Sequence, residues 1–262
     1  MDHAPDLALK VTFDKEAELY NEVRSGYPDL LFDKLIQVTN LTKESSLLEI
    51  GPRPGKATKS LAQRGFRITG IELGAQLATL ARKVLQDYPN VNIINSSFED
   101  IDLPPHSYDL IYAAAAFHWI QPNVQYTKTH LLLKPGGYLA IWGESRISDE
   151  NADRFFYALK ELADKYDLFD GHPLPKKLSE LEPSDNYDKN LFEVAYFEAF
   201  PKTVKLSTED FVKLIGTYSK YIALDAETKE IFTKELRKMI HDEFGGVVER
   251  SCGNILTVLK AK

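Results

Sequence analysis

Cysteine is almost absent: Cys252 is the only one in 262 residues. A single thiol closes no internal disulfide and builds no cysteine-based metal cluster, and it suits a reducing compartment. Long apolar runs are missing too. The longest, residues 110–117, falls far short of the roughly 20 residues that span a bilayer. The opening segment MDHAPDLALKVTFDK has no basic stretch followed by an apolar core, so no secretory signal is expected. Positive charge is in deficit, with 32 Lys and Arg against 39 Asp and Glu and a formal net charge of −7. Broad contact with nucleic acid or an anionic membrane needs clustered cations, and neither partner is expected. What remains is a cytoplasmic protein of ordinary composition, 44% hydrophobic and 27% charged, long enough to bury a core without covalent staples. Its oligomeric state is not legible.

The apolar pattern then supplies the architecture. Residues 13–41 read as helical, with Leu30, Leu31, Leu35 and Val38 at helical spacing behind Pro28. From Ser45 the chain alternates. Strands are expected at residues 46–50, 67–72, 91–95, 108–113 and 137–142, with helices at 56–64, 76–88 and 121–133. Such alternation, with strands apolar nearly throughout, predicts an α/β fold with a doubly wound, mostly parallel sheet covered on both faces. Pro135-Gly136-Gly137 reads as a helix stop. Beyond Trp142 the reading gives helices at 150–166, 207–214 and 224–244 and two closing strands at 194–206 and 247–260. One domain over 1–262 is expected: cap helices at 1–41, a cofactor-binding core at 45–145, a helical insertion at 146–190 and closing elements at 191–262.

In such sheets, ligands bind beyond the carboxyl ends of the strands. Four segments fall there. Glu49 to Gly55 follows the first strand, and Glu72, in GIELG, ends the second. Ser96-Ser97-Phe98-Glu99-Asp100 follows the third, and residues 113–119, ending FHW, follow the fourth. An acid at the end of the second strand can accept two hydrogen bonds from a ribose diol. Glycine is missing where a dinucleotide site needs it. The turn reads G-x-x-x-G rather than G-x-G-x-x-G, and after Gly55 no glycine follows until Gly65. Glu49, immediately before the turn, suits a positively charged nucleoside better than a pyrophosphate.

The runs LLEIGPRPGKAT, GIELG, SSFEDIDLPPHSYDLIYAAAAFHWI and LLLKPGGYLAIW resemble the class I S-adenosylmethionine-dependent methyltransferases, in their UbiE-like or type 11 branch. LYNEVRSGYPDLLFDKL before the sheet, and TYS and FGG after it, extend the resemblance over most of the chain. It implies methyl transfer from S-adenosylmethionine to a small molecule. Glu49, Gly51 and Gly55 match the motif along the cofactor's methionine part, and Glu72 matches the ribose-binding acid, with Leu73 on the adenine. Ser97, Phe98 and Glu99 match the adenine-edge loop, and Ala113 and its neighbours the wall beneath the methionine and sulfonium. Tyr20 and Arg24 resemble the N-terminal cap, where Arg24 either pairs with the cofactor carboxylate or makes a surface ion pair. His118 takes the position facing the methyl group, as a base or orienting residue or as a hydrogen-bonded wall. No metal site is implied.

One position departs from the family. Arg53 stands where glycine is usual, between Pro52 and Pro54. A residue before proline is pushed toward extended backbone, so an extended Arg53 in a stiff turn is expected. Two outcomes stay open at this point: the side chain fills the methionine slot, or it donates to the cofactor carboxylate. The alternative function is a non-transferring member of the fold that has lost the cofactor or uses it structurally.

Overall fold

The computed structural model describes residues 26–148, 150–168 and 175–262. The first described helix, α1 (Asp29–Thr39), starts behind Pro28 and stops at Asn40, whose left-handed backbone ends the helix. Leu31, Phe32 and Leu35 lie on its inner face and are fully buried. The alternation follows: β1 (Ser46–Ile50), α2 (Lys56–Gln63), β2 (Arg67–Glu72), α3 (Ala75–Val84), β3 (Val91–Asn95), β4 (Tyr108–Ala114), α4 (Pro122–Leu132) and β5 (Leu133–Arg146). After α5 (Glu150–Asp164) come β6 (Phe192–Ser207), α6 (Thr208–Ile215), α7 (Ser219–Ile222), α8 (Ala226–Phe244) and β7 (Val247–Ala261). Among the described residues no helix is long and apolar enough to cross a membrane.

The seven strands of the described residues join one sheet in the order β3-β2-β1-β4-β5-β7-β6. β1 is parallel to β2 on one side and to β4 on the other. The direction of winding therefore reverses between β1 and β4, and a crevice opens at their carboxyl ends. β7 runs antiparallel to both β5 and β6.

β5 differs from the sequence expectation. It begins at Leu133, ahead of Pro135-Gly136-Gly137, and the register against β4 shifts between Tyr108 and Leu110. The glycines thus shape an irregularity within the strand, with Gly136 at φ +73°. At its other end β5 continues past the last β4 pair, Ala114 with Trp142, and residues 143–146 pair with β7 alone. This antiparallel extension rises above the floor of the crevice.

Two apolar layers cover the sheet. On one face Leu31, Phe32 and Leu35 of α1 and Leu61 of α2 pack against Tyr112, Trp142 and Leu256. Trp142 stacks on Tyr112 with ring centroids 5.4 Å apart, and Tyr27 and Phe32 meet it edge-on. The other face buries Leu48, Ile111, Ala113, Leu139 and Leu259. A further cluster joins α5, α6 and α8 around Phe155, Phe211 and Phe232.

Candidate functional site

The crevice at the β1–β4 reversal holds two adjoining clefts. The first, of about 90 Å³, is lined by Gly51, Glu72, Leu73, Ser97, Phe98 and Glu99, together with Ala116 and Trp119. The second, of about 120 Å³, is lined by Tyr27, Glu49, Pro52, Ala114, Ala115, Glu144 and Asn254. Arg53 borders both.

The first cleft gathers the residues expected around a nucleoside. Glu72, at the end of β2, is nearly buried. Its Oε2 accepts from the Arg53 N–H at 2.8 Å and its Oε1 from the Gly74 N–H at 2.9 Å. A carboxylate offers about four lone-pair directions, so capacity for further donors remains. Leu73 leaves 37% of its surface exposed at the rim, an apolar plate beside a polar acid. Asn95 ties the loop down by donating to the Glu72 and Leu73 carbonyls at 2.8 and 2.9 Å. After β3, Ser97 caps its own turn, donating to Asp100 and accepting the Asp100 N–H. Phe98 is buried beneath Lys128. Glu99 accepts from the Gln121 N–H at 3.1 Å, which joins this loop to the start of α4.

The second cleft is polar in an unusual way. Glu49 is fully buried. Its Oε2 accepts from Thr58 Oγ1 at 2.5 Å and from the Tyr112 hydroxyl at 2.8 Å, while its Oε1 has no partner among the described residues. Burial pushes its pKa from 4.5 up to about 7, against those two donors, and the nearby Glu72 adds to the rise. An orphaned buried carboxylate oxygen beside a cleft is a group awaiting a donor or a cation. Gly51 completes the cradle. It holds φ +66°, and a Cβ there would lie 2.6 Å from the Cβ of Ala116. These features fit a cationic nucleoside such as S-adenosylmethionine.

Three expected residues stand elsewhere. Gly55 lines neither cleft. It closes the turn by donating to the Pro52 carbonyl at 2.9 Å, and a Cβ there would lie 2.7 Å from Leu85 Cδ1, so its absence makes room for Leu85. Ala113 is fully buried in the layer opposite Glu49, because alternate residues of β4 face opposite sides. The wall is made by Ala114, Ala115 and Ala116 instead. His118, in a one-turn helix (Phe117–Trp119), lines neither cleft and lies against Trp119 at 5.1 Å. It keeps solvent access, yet surrounding atoms and the Arg53 charge lower its pKa to about 4, so the ring is neutral at pH 7. Tyr20 and Arg24 lie outside the described residues.

Arg53 corrects the expectation of an extended backbone. Its φ is +54°, the left-handed region, where a side chain before proline is doubly disfavoured. Such strain costs on the order of 1–3 kcal/mol and is offset here by the bond from its N–H to Glu72. The guanidinium turns across the crevice and donates to the Ala115 carbonyl at 3.1 Å. Ala115 is itself left-handed, at φ +55°.

Sequence reasoning missed Asn254 and Glu144, paired neighbours on β7 and β5 that both line the second cleft. The signal was an asparagine in register with Leu256 and Val258, on the inward face of an otherwise apolar strand. Among the described residues no cluster of His, Cys, Asp or Glu could hold a metal ion.

Comparison with known proteins agrees with this geometry. Residues 48–141 match a family model described as a methyltransferase domain. An uncharacterised methyltransferase of Schizosaccharomyces pombe is 26% identical over 232 residues, covering 87% of each chain. One of Mycobacterium tuberculosis is 21% identical over 232 residues, covering 88% of this chain and 86% of that protein. Among solved structures, YcgJ from Bacillus subtilis shares the fold at TM-score 0.55 and 17% identity, covering 88% of this chain and 97% of that one. The [4+2]-cyclase SpnF shares it at TM-score 0.61 and 16% identity, covering 99% and 97%. The matched segment, the relatives along most of the chain and the order of the strands agree: residues 48–141 form a methyltransferase domain, and the chain has the class I methyltransferase fold.

Proposed function

We propose that this protein transfers a methyl group from S-adenosylmethionine to a small-molecule acceptor, at a hydroxyl, carboxylate, amine or carbon atom. The observation that carries the reading is the buried, half-satisfied carboxylate of Glu49 beside the Gly51 cradle. When bound, the cofactor supplies an electrophilic methyl on a sulfonium. The residues of the chain do the rest. Glu49 offers negative charge where positive charge must be held, and Glu72 offers lone pairs to a ribose diol. Leu73 and Phe98 supply apolar surface for a base, while Ser97 and Glu99 fix the loop that carries it. Gly51 lets the backbone come close, and Ala114 to Ala116 keep the wall low so that an acceptor can approach in line and without water. His118 lines neither cleft, and for it we keep both readings, an orienting group or base that an acceptor reaches from outside the clefts and a hydrogen-bonded wall beside Trp119.

Calorimetry with S-adenosylmethionine and S-adenosylhomocysteine tests the reading. Both should bind with micromolar or tighter dissociation constants. Failure of both at millimolar concentration would sink it.

A further inference from the structure

We propose that Arg53 is a latch. Closed onto the Ala115 carbonyl, it admits a nucleoside to the first cleft and bars a ligand that must run on into the second. Placing a nucleoside in one cleft and its tail in the other rests on the methyl-transfer reading above. Among the described residues Arg53 is the one shared by both linings. Any ligand that occupies both clefts must therefore pass its side chain.

Both ends of the latch are fixed. On the hinge side, the Arg53 N–H is held by Glu72 Oε2 at 2.8 Å. Pro52 and Pro54 flank it, both buried, and their rings lock φ. Pro52 packs into the space left by Gly70, where a Cβ would lie 3.1 Å from Pro52 Cγ. On the catch side, Ala115 donates its N–H to the Trp142 carbonyl at 2.7 Å. That bond ties the residue to β5, while its carbonyl receives the guanidinium at 3.1 Å. The moving part is the side chain between these two anchors. Arg53 is half-buried, so a change of rotamer can carry the guanidinium out to water. Because the backbone N–H stays on Glu72, that motion leaves the first cleft as it was.

The chemistry at the junction holds the latch closed until a spanning ligand arrives. A guanidinium donating to a carbonyl makes a charge-assisted bond. Its charge also reaches past the end of β4, where burial and then the Arg53 charge lower the pKa of His118. A nucleoside with an uncharged end, such as adenosine, stops short of this group. S-adenosylhomocysteine carries a tail whose ammonium must pass the guanidinium against like charge, and S-adenosylmethionine adds a sulfonium. Glycine, the usual residue at this position in the family that the motif resembles, has nothing with which to close the crevice. A spanning ligand is weakened by the fraction of time the latch stands open, and a ligand that fits both states alike is not.

The test is calorimetric titration of adenosine and S-adenosylhomocysteine into the wild-type protein and Arg53→Ala. Alanine carries the same Cβ at the same φ and keeps the N–H for Glu72, so the fold and the first cleft are kept. Adenosine should bind the two proteins within about twofold of each other. S-adenosylhomocysteine should bind Arg53→Ala about tenfold more tightly, the gain expected of a latch open about one tenth of the time. A gain shared equally by adenosine overturns the proposal, as does weaker S-adenosylhomocysteine binding in the variant. Adenosine binding too weak to measure overturns it too, because the first cleft would then hold no nucleoside behind a closed latch. Equal S-adenosylhomocysteine affinity in both proteins would remove the latch and keep the methyl-transfer reading. Binding to Arg53→Ala but not to the wild type would keep the latch and remove that reading, since the protein would then be closed to the cofactor.

Discussion

Two residues set the electrostatics of the site, and each makes a prediction. Glu49 titrates near 4.5 when unfolded and about 7 when buried. Between those values the folded protein holds a proton that the unfolded chain has given up. Its contribution to stability is full below pH 4.5 and is lost as pH rises through 7, a decline on the order of 3 kcal/mol at most. Denaturant unfolding of Glu49→Gln between pH 4.5 and 8 should show most of that decline gone. A cation beside Oε1 favours the ionised form, so S-adenosylmethionine binding at pH 6 should release a proton, seen as buffer-dependent heat. Arg53 can be dissected likewise. Arg53→Ala keeps the left-handed strain and removes the guanidinium with its bond to Ala115, whereas Arg53→Gly removes both. Cofactor affinity should rise in both variants if the side chain bars the crevice, by about tenfold with alanine and further with glycine, because relief of strain adds a part of the 1–3 kcal/mol. Affinity that falls in both would assign Arg53 as a donor to the cofactor carboxylate.

At the scale of elements, the turn between β1 and α2 depends on its fit against the end of β4. Gly51→Ala forces a Cβ to within 2.6 Å of Ala116 at a positive φ, and should cost roughly 2–4 kcal/mol of stability and most cofactor binding. The double variant Gly51→Ala, Ala116→Gly should recover the steric part and leave the backbone part, which a double-mutant cycle in thermal unfolding separates. The parallel strands were legible in the sequence within about a residue, because each is an apolar run ended by turn chemistry. β5 was misjudged at both ends: Pro135-Gly136-Gly137 reads locally as a stop, and residues 143–146 extend the strand only because they pair with β7. The Arg53 backbone was misjudged for a related reason. Local sterics before a proline favour extension, but the distant Glu72 carboxylate captures the N–H and wins. The motif placed the wall at Ala113 and its neighbours, and strand alternation decides which of them face the cleft: Ala114 to Ala116 line it, while Ala113 faces the core.

At the scale of the whole molecule, the site is split between two kinds of sheet. The parallel strands β1, β2 and β4 carry Glu49, Glu72 and the alanine wall, the parts the motif order made readable. The antiparallel pair β5 and β7 carries Glu144 and Asn254, which no local pattern announced because their importance comes from register between strands more than a hundred residues apart. The lone cysteine lies in the same file of side chains. Cys252 is 1% exposed, and burial raises its thiol pKa, so little reactive thiolate forms in the closed protein. It therefore acts as a clock. Its labelling by a thiol reagent should proceed at the rate at which β7 pulls away from its neighbours, slow and independent of reagent concentration once the reagent is abundant. A ligand seated against Asn254 in the second cleft should slow that clock, whereas a ligand confined to the Glu72 side should change it far less. One sulfur atom would then report, without any knowledge of the acceptor, which half of the crevice a compound has entered.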